Sequence, residues 1–172
     1  MAGDGSQAIS PSTSATTRKT EVGVRTPNSV NLPTATKMVF ATVRLPVVRT
    51  LMYVALGGAV GSAGRYAIGT WMKDLPGIHW GTFAVNIAGA FTLGVVAAVA
   101  ANQPDWDVAL RTGLTVGVLG GFTTFSTWTV ESVELFSRGD MGLGLANLFG
   151  SLAVGVLAAA AGLAVGRLAW SA

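Results

Sequence analysis

The chain has 172 residues, of which 51% are hydrophobic and only 11% charged. Soluble domains carry about a quarter charged residues, so the deficit places most of this chain against lipid or other apolar protein. With no cysteine and a single histidine, His79, the sequence excludes disulfides, thiol catalysis and multi-histidine metal sites. The 23 glycines suit membrane helices that approach one another closely. Charge is unevenly placed: residues 1–50 hold six basic against two acidic residues, while the remainder holds five against six. A basic segment ahead of a first membrane helix reads as a topology signal rather than a nucleic-acid arm, and no nucleic-acid partner is expected.

In chain order, residues 1–37 are rich in Ser, Thr and Pro and show no helical or strand period. They read as disordered, and the leader is taken to run over 1–45, with the membrane domain over 46–172. No apolar segment comes after the early bases closely enough for a signal peptide. Four apolar spans come next, at 47–71, 80–101, 108–136 and 141–169, each long enough to cross a bilayer. Their connections, 73–79, 102–107 and 137–140, are short. The fold class is therefore an all-α membrane protein with four transmembrane helices.

The third span would extend about 43 Å as one helix, against a hydrocarbon thickness of about 30 Å. Its middle reads Gly120-Gly121-Phe122-Thr123-Thr124, two helix-weak glycines and then a β-branched pair. The helix is expected to break there. Broken helices at membrane depth are tolerated where the freed backbone groups are buried in protein or used for ions. Small residues recur four apart at Gly57/Gly61, Gly113/Gly117/Gly121, Ser151/Gly155 and Gly162/Gly166, on every span except the second. This spacing lets helix backbones meet.

A few polar residues within the spans require partners. Arg65, near the end of the first span, either snorkels to the headgroups or stands as a cation in a wet vestibule. Asn86 lies well inside the uncharged second span and must bridge helices or line a polar path. Phe125 and Trp128 share a helical face, and their electropositive ring edges, beside Thr and Ser hydroxyls, suit a small anion better than a cation. Asn147, Ser151 and Gly155 form one polar-to-small stripe at i, i+4, i+8. Glu134 and Arg138 are ordered for an i,i+4 ion pair, and Glu131 is placed to meet Arg65. No acid lies mid-span in the first, second or fourth helix, which counts against a proton-coupled transporter. No catalytic constellation is visible, so an enzyme is not expected.

Three motifs now stand in order: Gly57-Gly58-Ala59-Val60-Gly61-Ser62-Ala63-Gly64-Arg65-Tyr66, Gly81-Thr82-Phe83-Ala84-Val85-Asn86-Ile87-Ala88-Gly89-Ala90-Phe91, and Gly117-Val118-Leu119-Gly120-Gly121-Phe122-Thr123-Thr124-Phe125-Ser126-Thr127. Together, over about residues 51–167, they resemble the CrcB/Fluc family of fluoride channels. The resemblance implies an antiparallel, dual-topology dimer with two narrow pores along its interface. It implies a sodium ion at the dimer centre, held by backbone carbonyls at Gly120 and Thr123. It places Asn86, Phe125, Trp128, Ser151, Asn147, Thr82 and Arg65 along the fluoride path in the cell membrane. Trp128 stands where the family typically has a second phenylalanine, Asn147 where a tyrosine is common, and Gly155 where a serine can occur. Some members pair two different chains, so a homodimer and a heterodimer both remain open. The alternatives are a small dual-topology cation or drug transporter, which would need a glutamate in the first helix, and a non-conducting partner subunit. The excess of Arg near one set of helix ends favours an inside N-terminus.

Overall fold

Lipid offers no partner to a bare N–H or C=O, and a helix satisfies both within one segment, so each apolar span winds up. The computed structural model describes residues 34–170, with side chains from residue 45 onward. Among the described residues every regular element is helical. Residues 1–33 of the expected leader lie outside them. From Thr34 the backbone is already helical, so α1 (Thr34–Trp71) starts ahead of its membrane-length apolar window, Leu45–Trp71. The next turn uses Gly77 at φ 100°, and the Trp80 indole N–H donates to the Pro76 carbonyl at 2.8 Å as α2 (Trp80–Asn102) begins.

The third and fourth spans are composite. The third, Val108–Ser137, comprises α3 (Val108–Thr112), a π-helical segment (Gly113–Leu119), α4 (Gly120–Phe122) and α5 (Phe125–Ser137). Between α4 and α5, Thr123 (φ −83°, ψ 158°) and Thr124 (φ −149°, ψ 119°) take extended backbone. After a turn at Gly139 (φ 86°), the fourth span, Met141–Ala169, comprises α6 (Met141–Leu145), a second π-helical segment (Ala146–Gly150) and α7 (Ser151–Ala169). Four helical stretches are thus long and apolar enough to cross a membrane.

Few large side chains are buried among them; Val85, Leu119 and Leu135 are examples. The helices meet backbone to backbone instead. A Cβ at Gly61 would lie 2.1 Å from the Val118 carbonyl oxygen, and one at Gly162 would lie 2.0 Å from that of Phe91. The first contact closes α1 on the third span and the second closes α2 on α7. Between apolar helices in lipid, such close approach supplies dispersion and weak Cα–H···O contacts where a hydrophobic drive is missing. The second span has no small residues repeating four apart, yet it too makes close contacts: Gly81 packs on Gly69 of α1, Gly89 on Thr123 and Gly94 on Ala159 of α7, each too closely for a Cβ. The apolar window of α1 keeps Leu51, Leu56 and Val60 exposed.

At the start of the third span, Asp107 caps α3. Its Oδ1 accepts the Leu110 N–H at 2.9 Å and its Oδ2 pairs with Arg49 of α1. The Leu110 N–H first, and then Arg49, hold this carboxyl below its usual range.

This packing can be tested at two places. Gly162→Val should cost about 1–3 kcal/mol of stability through overpacking, whereas Gly142→Ala, where a Cβ meets nothing within 4 Å, should be neutral; thermal unfolding in detergent measures both. Asp107 is a depressed carboxyl, so its contribution is present above the unfolded value near 3.8 and disappears as pH falls through the lower folded value. Asp107→Ala should therefore lower the melting temperature at pH 7, and the gap to the unmodified chain should narrow as the pH falls below 4.

Candidate functional site

A carboxamide inside an uncharged span must be bonded, and Asn86 bonds where the third span leaves its helix. Its Oδ1 accepts the Thr124 N–H at 2.7 Å, and its Nδ2 donates to the Thr124 carbonyl at 2.9 Å. One side chain thereby satisfies both backbone groups of an extended residue. The Thr124 hydroxyl caps α5, accepting the Thr127 N–H at 3.2 Å and donating to Thr127 Oγ1 at 2.9 Å. Thr123 holds the end of α4, its N–H and Oγ1 both reaching the Leu119 carbonyl. Its methyl lies where a Cβ on Gly89 would sit, 2.2 Å away, so only glycine admits it.

These bonds have a joint effect on the backbone. In a continuous α-helix the Thr124 N–H would close on the Gly120 carbonyl, and the Thr127 N–H on that of Thr123. Both donors go to side-chain oxygens instead, on Asn86 and on Thr124.

Two grooves meet at Thr124. The first, about 350 Å³, is lined by Asn86, Gly120, Thr123, Thr124, Phe125 and Trp128 among others. Phe125 is 74% exposed there, with its ring centroid 5.3 Å from that of Trp128. The second, about 510 Å³, includes Arg65, Lys73, Thr82, Thr124, Thr127 and Glu131. Glu131 Oε1 accepts from Thr82 Oγ1 at 2.7 Å, while its Oε2 is buried without a hydrogen-bond partner. The expected Arg65–Glu131 contact does not form. Glu131 faces the first turn of α2, and the ion pairs among the described residues are Arg49–Asp107 and the anticipated Arg138–Glu134, at 3.4 Å.

The structure thus brings Asn86, Gly120, Thr123, Phe125 and Trp128 to one groove, and Arg65 and Thr82 to the other. Asn147 and Ser151 line neither. Asn147 is 1% exposed and donates from Nδ2 to Ser132 Oγ at 2.9 Å, and the Trp128 indole N–H reaches its backbone carbonyl at 2.8 Å. Ser151 is buried, and its hydroxyl has no partner. The sequence reading placed Thr124 in the expected break without giving it a role in the site, and assigned neither Lys73 nor Ser132 to it. Thr124 carried a usable signal, since Thr immediately before a helix is a favoured N-cap. Ser132 carried none, because its partner lies 15 positions away.

A short chain of four membrane-length helices, with Asn86 and Thr124 joined at one stretch of non-helical backbone between two grooves, defines a small multi-pass membrane protein of the channel or transporter kind. The model of the CrcB-like family, described as Camphor Resistance (CrcB), matches residues 52–163. Similar curated relatives carry the name fluoride-specific ion channel FluC. The one from Agrobacterium fabrum is 46% identical over 116 residues, covering 66% of this chain and 93% of its own length. That from Allorhizobium ampelinum is 46% identical over 121 residues, covering 69% and 97%. That from Acidobacterium capsulatum is 38% identical over 118 residues, covering 67% and 94%. The chain belongs to the CrcB family.

Asn86→Leu would strand both the N–H and the C=O of Thr124. At about 1–3 kcal/mol for each unsatisfied group, it should cost roughly 2–6 kcal/mol. Asn102→Leu, which removes only a bond to the Ala98 carbonyl one turn back, is the control. Equal losses in thermal unfolding would show that the Asn86 clasp does not hold the non-helical segment.

Proposed function

We propose that this protein is a fluoride-selective channel of the cell membrane that lets fluoride leave passively and so relieves fluoride toxicity. The observation that carries the reading is the match to relatives named fluoride-specific ion channels, nearly all of whose length it covers. The physical logic is that of weak-acid trapping: HF crosses a bilayer, dissociates inside, and its anion then needs a route out.

The grooves supply what such a route requires. Arg65 and Lys73 in the second groove draw anions toward it. Thr82, bonded to Glu131, lines the same groove, and Thr124 borders both. Asn86 spends one amide hydrogen on Thr124 and retains a second for an anion that is losing its water. Phe125 and Trp128 offer electropositive ring edges. Such edges favour an anion too small to pack as a hydrophobe and too weakly held to be trapped.

The wide exposure of Phe125 and of Leu51, Leu56 and Val60 on α1 supports a second subunit covering these grooves. An antiparallel dimer, of two copies or of this chain with a paralogous one, fits that need, and the extended pair Thr123–Thr124 is then the break of the third transmembrane helix. The carbonyls of Gly120 and Thr123 suit a sodium ion at such a dimer centre. They are hard oxygen ligands whose ordinary helical donors are engaged elsewhere. When bound, the ion would supply a fixed positive charge tying the two subunits. The transporter alternative lacks its carboxylate, since no acidic residue lies in 51–68.

The test is fluoride-electrode efflux from liposomes holding the purified chain. The unmodified protein should release fluoride and retain chloride. Phe125→Ile keeps the bulk but removes the ring edge, and should slow efflux about tenfold, equal to about 1.4 kcal/mol of barrier, with the elution volume unchanged. Absence of fluoride-selective efflux from the unmodified protein would overturn the reading.

A further inference from the structure

The fourth span leaves α-helical winding at Ala146–Gly150. The Ser151 N–H, which would reach the Asn147 carbonyl in an α-helix, bonds the Leu148 carbonyl. The Asn147 carbonyl takes the indole N–H of Trp128 at 2.8 Å. The Asn147 side chain is tied as well: its Nδ2 donates to Ser132 Oγ at 2.9 Å, and Ser132 Oγ donates to the Trp128 carbonyl at 2.9 Å. The chain of bonds therefore starts at the Trp128 ring and returns to the Trp128 backbone. Asn147 and Ser132 are 1% and 2% exposed, so these bonds do not exchange with water. The Trp128 ring in turn contacts Phe125 and lines the same groove as Asn86.

We propose that Asn147 and Ser132 are positioning residues: the Asn147 backbone carbonyl holds the Trp128 indole N–H, the Asn147–Ser132 side-chain bond holds that carbonyl in place, and together they set the orientation of the Trp128 ring and through it that of Phe125. The inference rests on the reading of this groove as the fluoride route. An indole has one strong donor that a phenyl ring lacks, and a free N–H in the groove would bind a small anion tightly and slow its release. Here the π-helical turn supplies an acceptor, and the N–H is used inside the protein. Trp128 then presents only carbon-bound ring hydrogens to the groove, as Phe125 does. The local irregularity of the fourth span and the tryptophan form one device, and Ser132 completes it.

The experiment is a double-mutant cycle on the full chain in liposomes. Asn147→Ala should slow fluoride efflux about fivefold when residue 128 is tryptophan, and should add nothing in the Trp128→Phe background, because there is no indole N–H left to orient. Ser132→Ala should repeat the pattern, and it keeps the cycle usable if Asn147→Ala does not fold. A packing role alone would slow both backgrounds equally, and that additive result overturns the inference. Hydrogen–deuterium exchange of the Trp128 indole N–H, with its resonance assigned by Trp128→Phe, is read alongside. Exchange should be about tenfold faster in Asn147→Ala or Ser132→Ala, and unchanged exchange in both overturns the clasp. An unmodified chain that releases no fluoride would remove the proposed function, while the exchange measurement would still decide the clasp.

Discussion

A backbone amide in the hydrocarbon region must find a partner within the protein, and in this molecule the amide that decides the architecture is that of Thr124. Its N–H and carbonyl are both held by Asn86. Without that clasp both groups of Thr124 would be left bare in the extended segment, where a continuous helix would have satisfied them. With it, two residues within the third span run extended, α5 begins afresh at Phe125 under the Thr124 cap, and Phe125 and Trp128 line the groove that Asn86 lines. Each of these features depends on a single carboxamide placed in the middle of another helix.

The glycines serve that arrangement by fixing how near α2 comes to the third span. Gly89 admits the Thr123 methyl, so the extended segment lies against α2 within hydrogen-bond reach of Asn86. Elsewhere Gly61 and Gly162 bring helix axes together with no side chain between them. Such contacts have little tolerance, because a carbonyl oxygen cannot rotate away as a side chain can. The helix frame is therefore stiff where the polar groups need accurate placement, while α1 leaves apolar residues exposed.

Much of this architecture is legible in the sequence. Apolar run length marks the four spans, and the Gly120–Thr124 composition locates the stretch where Thr123 and Thr124 lie extended. Asn86 stands out because an amide in an uncharged span has no bland explanation. Long-range pairing is the part that escapes. Residue types suggest that Glu131 would meet the cation at Arg65, but the three-dimensional path of α5 turns it to a hydroxyl on α2. Asn147 reads as one member of a polar-to-small stripe along the fourth span, yet its partners, Trp128 and Ser132, sit on a different helix. The second span's close contacts are hidden because its glycines meet three different elements and keep no single period. Periodicity identifies regular surfaces, and this protein places its polar groups at irregular ones.

The two π-helical segments have a consequence for how the chain tolerates insertion and loss. Each amounts to an α-helix carrying one surplus residue, and one residue corresponds to about 100° of rotation about the helix axis. In Gly113–Leu119 and Ala146–Gly150 the wide turn holds that surplus residue within itself, so the helical stretches beyond keep close to the faces an ordinary helix one residue shorter would give them. Removing one residue inside either segment would restore ordinary winding and leave Gly121 against α1 and Gly162 against Phe91. Removing one from a regular α-helical stretch would instead turn everything beyond it by about 100°. The two segments are therefore the places in the membrane helices where a single-residue loss is expected to be absorbed.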